Sequence, residues 1–258
     1  MRLRCKELNA SYGVNGSREE VLRKVSLETT SGEFLTILGP SGCGKTTFLQ
    51  TIAGVLRADG GRIELISAFP GESAQPLLIR QENSLFPWLT ALDNACFGLA
   101  MQGVAKAERE QQALELFARY GLERRYNNYP HQLSLGMKQR VALIRAFLCD
   151  PPMLLMDEPF AALDAQTRLL LQQDLIALWE AREEISVIFV THDVEEALLL
   201  SDRIVIFSGR PASVMAELAV DLPRPRNATT TLTPEFLQLK ARILSYLGIT
   251  TEVVRQYA

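Results

Sequence analysis

The feature that most constrains this chain is the run "EFLTILGPSGCGKTTFLQ", residues 33–50. It sets G-x-x-x-x-G-K-T, Gly39 to Thr46, directly between a short apolar strand-like run and a helix-like one. A phosphate-binding loop requires that setting. Gly39, Gly42 and Gly44 let the backbone turn with its N–H groups inward, forming a nest for phosphate oxygens. Pro40, Ser41 and Cys43 lie between them. The helix that starts there adds the positive end of its dipole, roughly half a charge. Lys45 is expected to reach the β- and γ-phosphates, the Thr46 hydroxyl to ligate Mg²⁺, and Thr47 to end the phosphate-contacting stretch. A chance glycine-rich turn would lack the flanking strand, the Lys-Thr pair and the downstream partner described next.

That partner is "PMLLMDEP", residues 152–159. Its apolar residues form a buried strand and bring Asp157 to the strand's carboxyl end, where ligands bind in open α/β sheets. Asp157 is therefore expected to serve Mg²⁺, directly or through water. Glu158, the next residue, is free to polarise a water for in-line attack. Alone, a "DE" after a strand is a solvated turn; beside a phosphate loop it implies nucleoside triphosphate binding with hydrolysis, though kinases, GTPases and recombination-type ATPases share both motifs.

The rest of the chain supplies the frame. "RCKELNASY", "VLRKVSLE" and "EFLTILG" read as strands bounded by turn residues, and "KTTFLQTIAGVL" as a helix followed by the strand "RIELI". "QPLLIRQEN" reads as a short buried strand and a loop. A helical stretch opens at "AKAEREQQALELFARYGL", with Ala113, Leu116, Phe117 and Tyr120 on one face and Gly121 at its end. In "HQLSLGMKQRVALIRA", Ser134 sits where a helix N-cap belongs and Gly136 lies in the first turn. Three alternations follow: "PMLLMDEP" to "AQTRLLLQQDLIALWEAR", "ISVIFVTHD" to "VEEALLLS", and "RIVIFSG" opening the last. Alternation of this kind implies a parallel sheet with both faces covered, and the helical middle an inserted subdomain. The expected division is a main domain over 1–220, holding a helical subdomain over about 84–150. A linker rich in Pro and Thr and an amphipathic terminal helix fill 221–258.

Composition excludes several classes. A net charge of −3 with both signs interspersed gives no nucleic-acid footprint, so no nucleic-acid partner is expected. The stretches 34–44 and 94–105 are too short or too polar to span a bilayer, and "MRLRCKEL" lacks the apolar run of a leader peptide. Cys5, Cys43, Cys96 and Cys149 show neither metal nor disulfide spacing and fit a reducing compartment. Cys43 within the phosphate loop is expected to confer sensitivity to thiol reagents.

Several further stretches carry a resemblance. "LSLGM" with "KQRVALIRA" resembles the signature motif of ABC-type ATPases, and it stands shortly before "PMLLMDEP" as in that family. "RQEN" offers Gln81 as the family's Q-loop glutamine, and "ALD" offers Asp164 as its D-loop aspartate. "VTHD" offers His192 as its switch histidine, and Tyr12 matches the aromatic that stacks on adenine. The chain is thus identified as similar to ABC transporter ATP-binding subunits. "RQENSLFPWLTALDNACFGL", "DEPFAALDAQTR" and "DLPRPR" bring it nearest to importers for nitrate, sulfonate, taurine and related small anions. Leu135 departs from the family pattern by replacing the first signature glycine, but it falls where ordinary helical φ is expected.

The resemblance implies an α/β P-loop ABC ATPase fold, with a mostly parallel core sheet, an antiparallel N-terminal β portion and the helical insertion. It implies ATP and Mg²⁺ as ligands, the metal being held by Thr46, Gln81 and Asp157. It implies a head-to-tail homodimer in which Ser134 and Gly136 of one copy close on the ATP of the other, with Glu158, His192 and Gln81 in catalytic roles. Integral membrane permease subunits would be the direct partner, an extracytoplasmic solute-binding protein an indirect one, and the location peripheral at the cytoplasmic face of the inner membrane. Phe86, Pro87 and Trp88 would lie either in the core or in a groove facing the permease. The alternative is a soluble ABC ATPase without a permease. Such proteins tend to carry a coiled-coil insertion, a second cassette or strong basic patches, and none of these is visible in the sequence.

Overall fold

Strands β3 (Phe34–Leu38), β6 (Met153–Asp157) and β7 (Ser186–Thr191) are buried at every position, and β8 (Arg203–Phe207) at all but its first. Runs this apolar fit only a sheet covered on both faces. The computed structural model, which describes residues 1–14, 17–67, 75–80, 85–182 and 184–249, supplies that sheet. β3 lies in parallel between β7 and β8, with Leu35 opposite Ile188 on one side and Arg203 on the other. β6 runs parallel to β7. The order is β5-β6-β7-β3-β8-β9, with β5 (Leu77–Ile79) at one edge and β9 (Val214–Ala219) at the other. The remaining strands, β1 (Arg2–Val14), β2 (Ser17–Glu28) and β4 (Gly60–Ile66), form an antiparallel sheet in the order β2-β1-β4.

Contacts divide the chain into two compact units. One comprises Met1–Leu78, Pro152–Glu158 and Glu184–Ala258, the other Ile79–Pro151 and Pro159–Glu183. In the first, side chains alternate across the parallel sheet as the strand period dictates. Leu35, Ile37, Val205 and Phe207 meet helix α1 (Lys45–Ile52) and the inner face of the antiparallel sheet. Phe48 of α1 packs edge-on against Phe207, with ring centroids 5.5 Å apart. Burying one such ring contributes roughly 1.5–3 kcal/mol, so α1 is firmly fixed to the sheet. Leu38, Ile204 and Ile206 point the other way, onto α6 (Val194–Leu200) and α7 (Pro234–Tyr246).

The second unit holds α2 (Ala91–Met101), α3 (Lys106–Arg119), α4 (Leu135–Leu148) and α5 (Ala165–Glu180). On α3 the buried residues are Ala113 and Phe117, joined by Tyr120 at its C-cap. Trp88 is 70% exposed, its ring tilted against that of Phe86, so it is not core. α5 groups with this unit in addition to the stretch 84–150.

Three local expectations are corrected. α1 stops at Ile52, short of "AGVL". Helix α2 begins well before the helical stretch anticipated at Ala105; Thr90 caps it by accepting from the Asp93 N–H. The alternation opened by "RIVIFSG" ends in β9, which pairs antiparallel with β8, rather than in a helix. The described part of the proline-rich tail is strapped down. The Arg226 guanidinium donates to the carbonyls of Leu198, Ser201, Val220 and Leu222, and Arg224 to that of Leu200. Burial lowers the Arg226 pKa to about 10. Phe236 and Ile243 anchor α7 in the same unit, both fully buried.

Candidate functional site

The phosphate loop leaves β3 at Leu38 and enters α1 at Lys45. Gly44 turns it with φ 125°, a backbone conformation L side chains rarely adopt. The space is also closed: a Cβ there would lie 2.8 Å from Val21 Cγ1 and 3.1 Å from the Val21 carbonyl oxygen. Gly44 is thus needed twice, for the turn and for the approach of β2. No side chain of the described residues caps α1, which leaves its first-turn N–H groups available to a ligand. Cys43 is only 2% exposed and burial pushes its thiol pKa up. That argues against the thiol reactivity expected of it, because the thiolate is the reactive form.

Lys45 is 4% exposed. Its ammonium donates to the carbonyls of Gly39 and Pro40 at 2.8 and 3.0 Å, and Glu158 Oε1 lies 3.5 Å away. A buried ammonium gathering carbonyls and one carboxylate is compensated, here by its own loop and by the residue that follows β6. The Thr46 hydroxyl donates to Asp157 Oδ1 at 2.9 Å, joining the first turn of α1 to the end of β6. Glu158 follows with φ 43°, in the left-handed region, and its N–H donates to the Val190 carbonyl at 3.0 Å. That turn costs about 1–2 kcal/mol for a non-glycine residue. Strain of this kind persists where surrounding structure fixes it, and it is concentrated at working sites. It sends the Glu158 carboxylate to His192, whose Nδ1 stands 2.9 Å from Oε2. His192 comes from the turn between β7 and α6, where Asp193 caps α6 by accepting from the N–H groups of Glu195 and Glu196. A neutral ring donating through Nδ1 keeps an acceptor lone pair on Nε2.

A cleft of about 260 Å³ opens over this group. Tyr12, Val21, Gly44, Lys45, Thr46 and Glu158 contribute to its walls. Tyr12 is braced by its hydroxyl, which donates to Gln50 Oε1 on α1 at 3.0 Å. Arg210, after β8, also lines the cleft. Sequence reading missed both Gln50 and Arg210, because neither stands in a motif. The hard oxygens of Thr46 and Asp157 fit Mg²⁺, which is held by one or two protein oxygens together with substrate phosphates. Among the described residues no group of three or more His, Cys, Asp or Glu could hold a metal by itself. Gln81 lies outside the described residues.

The helical unit carries Ser134, Gly136 and Asp164. Ser134 is the N-cap of α4, its Oγ accepting from the Met137 N–H at 3.3 Å. Leu135 opens the helix and is 39% exposed. Gly136 lies against α5, where a Cβ would meet Thr167 Cγ2 at 2.6 Å. Asp164 caps α5 by accepting from the Thr167 N–H at 3.0 Å. His131 is exposed and stacks on Tyr129.

A glycine turn, a buried lysine, a Thr–Asp pair and a strained glutamate on a parallel sheet define a nucleoside triphosphatase of the P-loop class. The comparisons narrow this. The profile of the ABC transporter family matches residues 22–161. An uncharacterized ABC transporter ATP-binding protein of Methanocaldococcus jannaschii is 43% identical, over 96% of this chain and 91% of its own. A taurine import ATP-binding protein of Pseudomonas aeruginosa is 38% identical over 94% of both chains. An aliphatic sulfonates import ATP-binding protein of Pseudomonas fluorescens is 42% identical over 91% of this chain and 83% of its own. Among solved structures, a dimeric ATP-binding cassette bound to ADP and Pi after hydrolysis superposes with a TM-score of 0.73. It is 31% identical and covers 86% of this chain and all of its own. The chain belongs to the ABC transporter family, as an ATP-hydrolysing cassette.

Proposed function

We propose that the chain is the ATPase subunit of an importer for a small sulfonate-like solute of the taurine and nitrate kind. It works as a homodimer beneath a separate permease at the cytoplasmic face of the inner membrane, and an extracytoplasmic solute-binding protein delivers the cargo. The single observation that carries the reading is the Lys45–Glu158–His192 chain beside the Thr46–Asp157 pair. The identities to taurine and sulfonate import proteins support the solute class. Among the described residues no helix is long and apolar enough to cross a membrane.

In this reading Tyr12 stacks on adenine, and the loop from Gly39 to Thr47 wraps the phosphates. The backbone N–H groups and Lys45 neutralise charge on the β- and γ-oxygens. Thr46, Asp157 and Gln81 would hold Mg²⁺, which would supply positive charge to offset that of the phosphate oxygens. Glu158 accepts the proton of the attacking water, and His192 orients the Glu158 carboxylate through its Nδ1 contact. Ser134 offers its O–H to the partner's γ-phosphate while its lone pair caps α4, since a hydroxyl has both capacities. The N–H of Gly136 adds to that anion site, and Asp164 stands at the seam between copies. Loss of the γ-phosphate removes the charge that joins the halves, and the dimer opens.

The test is Glu158→Gln. The variant should bind ATP with near-normal affinity, lose turnover by at least about a hundredfold, and accumulate as a dimer on size exclusion. Near-normal hydrolysis would remove Glu158 from the base role. A tagged chain recovered from host membranes should bring a multi-span permease with it. Recovery without any integral membrane protein would remove the transport role and leave the soluble ATPase alternative.

A further inference from the structure

We propose that Arg210 is a nucleotide-binding residue, packing its guanidinium against the nucleoside end of the bound triphosphate while Glu19 braces it. The inference rests on the nucleotide reading of the cleft and adds to it a residue that lies in no motif.

Arg210 belongs to the turn between β8 and β9, and this turn is tied down from both ends. The Ser208 N–H donates to the Ser213 carbonyl at 2.9 Å, and Ser208 Oγ accepts from the Ser213 N–H at 2.9 Å. Ala212 forms a bridge to Leu22 of β2: its N–H donates to the Val21 carbonyl at 2.7 Å, and its carbonyl accepts from the Arg23 N–H at 2.9 Å. Two residues before that anchor, Arg210 Nη1 pairs with Glu19 Oε1 at 3.1 Å, and Glu19 stands two residues before Val21 on β2. Glu19 is also the cross-strand partner of Tyr12 on β1. The backbone bridge and the ion pair therefore fix the Arg210 turn to the strand pair that presents Tyr12. In the same cleft Lys45 is buried against Glu158, whereas the Arg210 side chain is 39% exposed.

Two cations in one cleft are thus distinguished by their neighbours. Lys45 is bound by loop carbonyls and Glu158 and serves the terminal phosphates. Arg210 sits with Tyr12 and Glu19, so it meets the other end of the ligand. The contact with Glu19 offsets part of its charge, yet the guanidinium keeps a flat face, which suits a nucleobase better than a phosphate. A lysine lacks that face.

The experiment measures binding of MgATP and of inorganic tripolyphosphate to wild type, Arg210→Ala, Arg210→Lys, Glu19→Gln and Lys45→Ala. Arg210→Ala should weaken MgATP about 3- to 10-fold, the span expected of one cation–π contact at a partly exposed site. Arg210→Lys, which keeps the charge but loses the planar face, should weaken it about 2- to 5-fold. KM for ATP should rise in each variant by the factor its affinity falls, with kcat at saturating ATP lowered less than about twofold. Tripolyphosphate should bind both Arg210 variants as it binds wild type. Glu19→Gln should give a smaller loss in the same direction, as befits a positioning residue. Full affinity in Arg210→Lys, an equal loss of tripolyphosphate, or undiminished MgATP binding in Arg210→Ala would each overturn the proposal. Lys45→Ala reports on the cleft separately: it should lose both ligands. If it lost neither, the nucleotide reading itself would fail whatever Arg210 did.

Discussion

Gly136→Ala tests how closely the start of α4 fits α5. The added Cβ would stand 2.6 Å from Thr167 Cγ2, roughly 1 Å inside ordinary carbon–carbon contact. Thr167 cannot turn aside without loss. Its N–H and then its hydroxyl bond to the Asp164 carboxyl and hold that group's pKa below the usual carboxylate range. Overpacking of this kind costs about 1–3 kcal/mol, and replacing a helical glycine by alanine returns about 0.5–1 kcal/mol. The expected net change is a loss of about 1 kcal/mol. Thr167→Ser deletes Cγ2 and keeps the hydroxyl, so in that background the same alanine should stabilise by about 0.5–1 kcal/mol. Both tryptophans, Trp88 and Trp179, lie in the helical unit, so urea unfolding followed by tryptophan fluorescence reads the unit concerned. The four proteins form a double-mutant cycle whose coupling is expected at about 1–3 kcal/mol. Additive changes, with alanine stabilising in both backgrounds, would refute the steric argument and leave the glycine unexplained by packing.

Cys43 in native protein should react with a disulfide reagent far more slowly than after unfolding, because its thiol is buried and its pKa raised. Rapid stoichiometric labelling of Cys43 with parallel loss of ATPase activity would contradict this. Arg226→Ala should destabilise the protein by about 2–3 kcal/mol, since charge-assisted hydrogen bonds to several carbonyls vanish together. Thermal unfolding that matches wild type would show that water satisfies those carbonyls equally well.

Much of the site was legible because its chemistry is local. The strand, the glycine turn and the lysine are contiguous from Glu33 to Thr47, so one stretch of sequence specifies loop and helix start together. Ser134 was legible as a cap for the same reason, and the ordinary helical backbone expected at Leu135 agrees with α4 beginning there. What escaped depended on partners distant in sequence. Helix α2 was hidden because Asn94, a polar residue at a core position, breaks the apolar period. It is fully buried since its amide donates to the carbonyls of Phe86, Leu89 and Thr90. β9 alternates in burial, but apolar Met215 and Ala219 on its exposed face blur the period in sequence, and β8 offers it the edge it pairs with. The Arg224 and Arg226 straps were read as linker because composition says nothing of the carbonyls they find. Arg210 had no local signal, since its place is set by the bridge between Ala212 and Leu22.

Val21 has a consequence for anyone who would recombine cassettes. Its side chain and carbonyl limit Gly44 on one side, and that carbonyl anchors Ala212 on the other. The N-terminal antiparallel sheet is therefore no interchangeable module. A chimera joined between β2 and β3, borrowing residues 1–28 from a relative, would transplant Tyr12 and Val21 while the rest of the cleft lining stayed behind. Such a hybrid fits together only where the donor's residue 21 matches the recipient's loops in bulk and in backbone height.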